Sequence, residues 1–153
     1  MVGIITFRVN FEPVPQPRQR HRIVGQGDNA FIQNYTPEKH PVNFYKLRVQ
    51  WAFRRTNSAG PLVQPVALWL LFVLPRPKAK TWKKREMTRE WKPEKPDIDN
   101  LEKATMDALN GLAWKDDSYV CAKFSRKVIA RGGETPGVSI SFGPAELFRL
   151  SPE

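Results

Sequence analysis

Residues 95–111 read KPDIDNLEKATMDALNG. From Asp99 onward the apolar side chains return at helical spacing. Leu101, Ala104, Thr105, Ala108, Leu109 and, just beyond, Leu112 share one face. Asp99 has N-cap chemistry and Glu102 follows three residues later, so the spacing predicts a helix over 99–110 opened by a capping box. Asn110-Gly111 supplies the stop.

Outward from this helix, the chain reads as strands and one more helix. VALWLLFVL, residues 66–74, has no polar alternation and predicts a buried central strand. It is about half the ~20 residues a spanning helix needs, which excludes a membrane anchor. Downstream, 119–130 and 138–142 read as two strands joined by the turn from Arg131 to Gly137. Upstream, residues 4–11 alternate, with Ile5, Phe7, Val9 and Phe11 on one face and Thr6, Arg8 and Asn10 on the other. Residues 41–55 have helical spacing, with Phe44, Leu47 and Trp51 forming a stripe. The order β, loop, α, β, loop, α, β, β predicts one α+β domain over 1–153 with a small mixed sheet. Within it, 12–36 reads as a proline-spaced basic loop, 75–95 as a basic connection and 143–153 as a frayed C-terminal tail.

Charge narrows the partners. Lys+Arg 25 against Asp+Glu 15 leaves +10, and 41% hydrophobic residues with five tryptophans suit a folded chain. Such an excess points to a polyanion, with nucleic acid first. One cysteine, Cys121, excludes an internal disulfide and a cysteine-based zinc site. The single cysteine fits a reducing, cytoplasmic setting, and the N-terminal MVGIITFRVNFEPVP has no basic segment followed by an apolar one.

In this basic chain the acids are concentrated. Asp97 and Asp99 flank Ile98, and residues i and i+2 of extended backbone point the same way. Lys103 lies one turn beyond Asp99 on the same helix face. A second acidic turn, Lys115-Asp116-Asp117-Ser118, precedes the predicted strand. If that strand lies beside the one leading into the helix, the two turns meet at one end of the sheet. Converging carboxylates repel one another, and a divalent cation removes the conflict. Oxygen ligands without His or Cys select Mg²⁺ or Mn²⁺ over zinc. Carboxylate-held Mg²⁺ beside a phosphate can activate water for phosphodiester cleavage, with Lys103 placed to stabilise the developing charge. Each residue also has a plainer use: Asp99 as a helix cap, Lys103 as its i+4 partner, Asp116 and Asp117 as turn formers.

Taken together, KPDIDNLEKA at 95–104, DALNG at 107–111 and WKDDS at 114–118 closely resemble RusA-type endodeoxyribonucleases, the Holliday junction resolvases of phages and prophages. FRVNFEPVPQPRQR at 7–20 resembles the family's first strand and basic loop. The resemblance covers most of residues 4–142, and the chain departs from it in a longer basic insertion over 78–95 and an extended C-terminus. It implies a homodimer that binds four-way junction DNA and nicks two strands with Mg²⁺, in the cytoplasm of a bacterial host. It places the three essential carboxylates at Asp97, Asp99 and Asp117, with Asp116 beside them, and the catalytic lysine at Lys103.

The basic residues supply candidate phosphate contacts: Arg18, Arg20 and Arg22 in the proline-spaced run, and Lys78, Lys80, Lys83, Lys84 and Arg85 in the later connection. Trp82 and Trp91 lie among the latter and could stack on exposed bases or cover the core. The competing reading from another class is a catalytically silent nucleic-acid-binding module whose aspartates only cap and turn.

Overall fold

The computed structural model describes residues 3–148. The elements run β1 (Ile5–Val9), β2 (Arg20–Val24), β3 (Phe31–Tyr35), α1 (Pro41–Thr56), β4 (Val66–Leu74), β5 (Glu90–Trp91), α2 (Ile98–Leu109), β6 (Val120–Ile129) and β7 (Gly137–Pro144). Five strands form one mixed sheet in the order β1-β7-β4-β6-β5, and β2 with β3 form a separate ribbon. The protein is a single α+β domain.

The apolar 66–74 run is central because both its edges are paired. β4 lies parallel to β6 and antiparallel to β7. Parallel strands need a crossover, and here the segment carrying β5 and α2 provides it. β6 and β7 follow one another in sequence but are not neighbours, since β4 is inserted between them. Both helices cover one sheet face. Leu68, Leu70 and Phe72 of β4 and Val138, Ile140 and Phe142 of β7 meet Val42, Tyr45, Val49 and Phe53 of α1 and Leu101, Ala104, Ala108 and Leu109 of α2. In this seam the Tyr45 and Thr105 hydroxyls are 2.9 Å apart, and Thr105 also donates to the Leu101 carbonyl. Each buried hydroxyl is thus satisfied, as a buried polar group must be. Burial pushes the Tyr45 hydroxyl well above its usual range.

Four expectations from the sequence are corrected. Residues 12–36 are not a loop throughout, because β2 and β3 form an antiparallel hairpin in which Arg20 faces Tyr35 and Ile23 faces Ile32. The stripe of Phe44, Leu47 and Trp51 faces outward, each more than half exposed, while α1 buries its other stripe. Both stripes satisfy helical spacing, and only packing chooses between them. On the outer stripe Phe44 packs edge-on against Phe11, and the guanidinium groups of Arg48 and Arg55 lie over Trp51. Thirdly, α2 starts earlier than expected: its N-cap is Asp97, and Leu101 N–H donates to the Asp97 carbonyl. Ile98 packs against the core and thereby draws the first turn inward. Glu102 is not the closing residue of a capping box, because it is buried and paired with Lys123 of β6 at 2.5 Å. Lastly, the start of the expected tail is structured. β7 continues to Pro144, and the 3₁₀ turn Ala145–Phe148 lays Phe148 on Trp69 at 3.9 Å. The remainder of the expected tail, 149–153, lies outside the described residues.

Candidate active site

Pro96 removes a donor and holds the residue before it extended, so the chain enters α2 abruptly. Lys127 of β6 fixes the approach, its ammonium donating to the Glu94 carbonyl at 2.8 Å and to the Pro96 carbonyl at 2.6 Å. Asp97 then takes the N-cap position in extended backbone, but its carboxylate makes no capping bond. Asp99 sits in the first turn. Both side chains are exposed, and among the described residues neither forms an ion pair. The N-terminal end of a helix favours negative charge by about 0.3–1 kcal/mol, which offsets part of the repulsion between the two carboxylates.

Lys103 is exposed one turn further on, and the i+4 pair with Asp99 is not formed among the described ion pairs. Asp107, a turn beyond, is bound to Lys46 of α1 at 3.2 Å and serves the helix pair. By i,i+4 spacing Lys103 shares a helix face with Asp99, and it lines a cleft of its own beside the one that Asp97 lines.

The proline-spaced segment forms the wall of this region. Gln16 N–H donates to the Asn100 carbonyl at 2.9 Å, which pins residues 13–18 beside the start of α2. A cleft of about 580 Å³ runs between them, lined by Gln16, Arg18, Lys95, Asp97 and Asn100. A smaller cleft of about 250 Å³ is lined by Gln16, Tyr35, Lys103 and Asp107. Gln16 borders both, and its Oε1 is buried without a hydrogen-bond partner. A buried acceptor of this kind is rare in folded proteins and marks a place where a ligand or water completes the bonding. Nothing in the sequence singled out Gln16 or Lys127, since neither belongs to a periodic pattern or an acidic motif.

The second acidic turn is built from α2's other end. Trp114 is fully buried against Phe142, and its Nε1 donates to Asp117 Oδ1 at 2.8 Å. Asp116 accepts from Ser118 N–H at 2.9 Å, and the bonds to Ser118 hold its carboxyl below the usual range. The 66–74 strand, β4, does lie beside β6, but in parallel, so Leu74, which lines a cleft with Asp97, pairs with Ile129 at the far end of β6 from the Asp116-Asp117 turn. The acidic turns therefore do not meet as the sequence suggested. Asp97 and Asp99 stand at the start of α2 and Asp116 and Asp117 beyond its end, with roughly 18 Å of a twelve-residue helix between the two ends. Among the described residues, no three His, Cys, Asp or Glu side chains form a group able to hold a metal ion.

Of the candidate phosphate contacts, Arg18, Arg20 and Arg22 are exposed around the base of the β2–β3 ribbon. Arg22 donates to Gln33 Oε1 and its guanidinium lies over the Tyr35 ring at 5.0 Å. Lys78, Lys83 and Lys84 are exposed, while Lys80 is engaged with Glu90 at 3.0 Å in a cluster that also holds Arg76. Arg85 stacks on Trp82 at 3.7 Å, and Trp91 is exposed rather than a cover for the core.

A basic α+β domain with unpaired aspartates and a free lysine at one helix end has the makings of an enzyme acting on nucleic-acid phosphodiesters. Residues 10–142 match the sequence model of the family described as endodeoxyribonuclease RusA, and the chain belongs to that family. It is also 31% identical over 121 residues to a Bacillus subtilis (strain 168) protein described as uncharacterized protein YqaN, covering 76% of this chain and 81% of that one. The family implies Holliday junction resolvase activity and is generally metal-dependent. The donor set fits Mg²⁺, which takes one or two carboxylates and keeps several waters. Asp97 and Asp99 are exposed oxygen donors at a helix start, without protein partners among the described ion pairs.

Proposed function

We propose that this protein is a Mg²⁺-dependent endonuclease, with Mn²⁺ able to substitute, that resolves four-way DNA junctions by paired symmetric nicks as a homodimer. The observation that carries this reading is that Asp97, Asp99 and Lys103 are exposed over the first turns of α2 and form no ion pair among the described residues, with Asp97 and Lys103 lining two clefts that share Gln16 of the arginine-bearing segment. Asp97 and Asp99 would hold the cation, which supplies Lewis-acid stabilisation of the phosphate and activation of water. Lys103 stands where its ammonium meets charge that develops on the phosphate, a role that lowers the barrier without tightening substrate binding. Arg18, Arg20 and Arg22 position the DNA backbone.

The third carboxylate, Asp117, comes from the partner copy in this reading. The separation of the two acidic turns by α2 supports it, because a C₂ dimer can bring one protomer's Asp116-Asp117 turn to the other's Asp97 and Asp99. β4 offers no free edge for strand pairing between copies, since both of its edges are paired. The outward stripe of Phe44, Leu47 and Trp51 is an exposed apolar surface that a second copy would cover in this reading. Two symmetric sites also match the two cuts that a four-way junction requires.

The silent binding module is favoured by one observation, the lack of a three-carboxylate group among the described residues of a single chain. Incubation of the purified protein with a synthetic four-way junction, with and without Mg²⁺, separates the two. Paired nicks that vanish with chelator are expected. Tight junction binding with no nicking in Mg²⁺ or Mn²⁺ would establish the binding module instead.

A further inference from the structure

The β2–β3 ribbon stands apart from the five-stranded sheet. A lone two-stranded ribbon is marginal in water unless something packs on it. Its side chains are sorted along its length. At the base, Arg20 faces Tyr35 and Arg22 faces Gln33; toward the tip, Ile23 faces Ile32 and Val24 faces Phe31. Ile23 and Ile32 are 76% and 71% exposed, and Phe31 is 57% exposed. Large apolar residues at such exposure, next to one another on an arm, mark a surface that is covered in use. The tip itself is held tightly. Gly25 has φ +93°, and a side chain there would meet the Asn29 carbonyl oxygen at 2.5 Å.

Charge decides what covers it. The segment bears Arg18, Arg20 and Arg22 against the single acid Asp28, so two copies brought ribbon to ribbon would repel, whereas a polyanion is attracted. Position agrees with charge. Tyr35 and Asn34 at the ribbon's base line the same small cleft as Lys103, so the arm rises from the rim of the candidate active site. Five residues of strand carry the tip about 16 Å from that rim. A two-stranded ribbon fits a DNA groove, and aliphatic side chains inserted between base steps unstack them.

We propose that the ribbon is a wedge that opens the branch point: Ile23 and Ile32 pack against bases unstacked at the crossover while Arg20 and Arg22 hold the flanking phosphates. This rests on the junction reading above and adds to it the source of discrimination between junction and duplex. At a crossover the strands change partners, so stacking there is interrupted more readily than in continuous duplex and the wedge enters at lower cost. The apolar pair contributes nothing to a duplex it cannot open, and it therefore favours the branched substrate.

The test uses the full chain without Mg²⁺ and a four-way junction carrying 2-aminopurine at the crossover, whose fluorescence rises on unstacking. Wild type is expected to raise the signal several-fold at the crossover and not within an arm. The double variant Ile23→Thr, Ile32→Thr keeps β-branched residues suited to strands. It should bind linear duplex as wild type does, give no rise, and lose roughly tenfold of the preference for junction over duplex. An unchanged rise and preference in the double variant would overturn the wedge. So would a fall in oligomer mass with DNA behaviour intact, which would make the apolar pair an interface between copies. Wild type that nicks junctions in Mg²⁺ yet never raises the signal would sink the wedge alone. Wild type that fails to bind junctions at all would remove both readings.

Discussion

Trp114 Nε1 donates to Asp117 Oδ1 at 2.8 Å, so a carboxylate at the protein surface is anchored by a side chain with no exposure at all. Trp114→Phe keeps an aromatic ring in the core but removes that donor. Loss of one such bond and some volume should cost about 1–2 kcal/mol of stability. Misplacement of Asp117 should lower junction nicking about ten- to a hundredfold. Single-turnover rates and thermal melts of the same preparation report both, and full nicking activity in the variant would show that Asp117 needs no anchor.

Asp97→Asn and Asp117→Asn should each abolish nicking while leaving junction binding intact or tighter, because each removes a carboxylate near phosphate. Mixed with each other, the two inactive variants should regain single-strand nicking. One site of that heterodimer carries both lesions and the other none. Recovery is possible only if Asp97 and Asp117 of one site come from different chains. Two pure inactive proteins that stay inactive when mixed, with subunit exchange verified by sedimentation of tagged chains, would return Asp117 to its own chain's site.

Lys103→Ala should reduce turnover strongly with little change in junction affinity, because the proposed contact forms with developing charge. Alanine is the better helix former, so α2 should survive. Parallel losses in affinity and rate would make Lys103 an ordinary phosphate contact.

Neutralising Arg18, Arg20 and Arg22 together should weaken binding to all DNA and flatten the dependence of log K on log salt. Each lost phosphate contact should remove about 0.9 from the slope. Titrations at several salt concentrations measure it, and an unaltered slope would place the ribbon base away from the backbone.

Acid should loosen the basic connection before it affects the core. The Arg89 guanidinium holds the Glu134 carboxyl down at about 2 from its ordinary 4.5. A depressed carboxyl contributes stability that is complete above its ordinary value and lost as pH falls toward the depressed one. Wild type should therefore lose melting temperature more steeply than Glu134→Gln between about pH 4.5 and 2. Identical slopes for the two proteins would show that this pair does not tie the connection to the β6–β7 turn.

What could be read from residues alone follows from where burial is one-sided. α2 has a single apolar face, and Leu101, Ala104, Ala108 and Leu109 were legible because that face is the buried one. α1 carries two stripes at equivalent spacing, and the choice between Tyr45 and Phe44 is made by the sheet, which local sequence does not contain. The hairpin left no pattern because a ribbon that buries none of its residues needs no alternation. RHRIV and FIQNY bury no residue. The aspartates were readable as a motif, but their separation depends on the direction α2 takes across β6. Gln16 and Lys127 act through backbone carbonyls and a buried amide, which impose no residue pattern on their neighbours.

The sheet joins the first and last strands described. The hydroxyls of Thr6 in β1 and Ser141 in β7 are 2.9 Å apart across 135 residues of sequence. A chain emerging from the ribosome cannot finish this sheet until β7 has left the exit tunnel, so the sheet closes last of all the elements described. Throughout that interval the VALWLLFVL segment has neither of its partner strands, since β6 and β7 are both made later. Distant pairings of this kind fold slowly, and an apolar strand left bare in the meantime is prone to self-association. Soluble yield should therefore respond to the pace of translation and to chaperone supply well before it responds to changes in the finished fold.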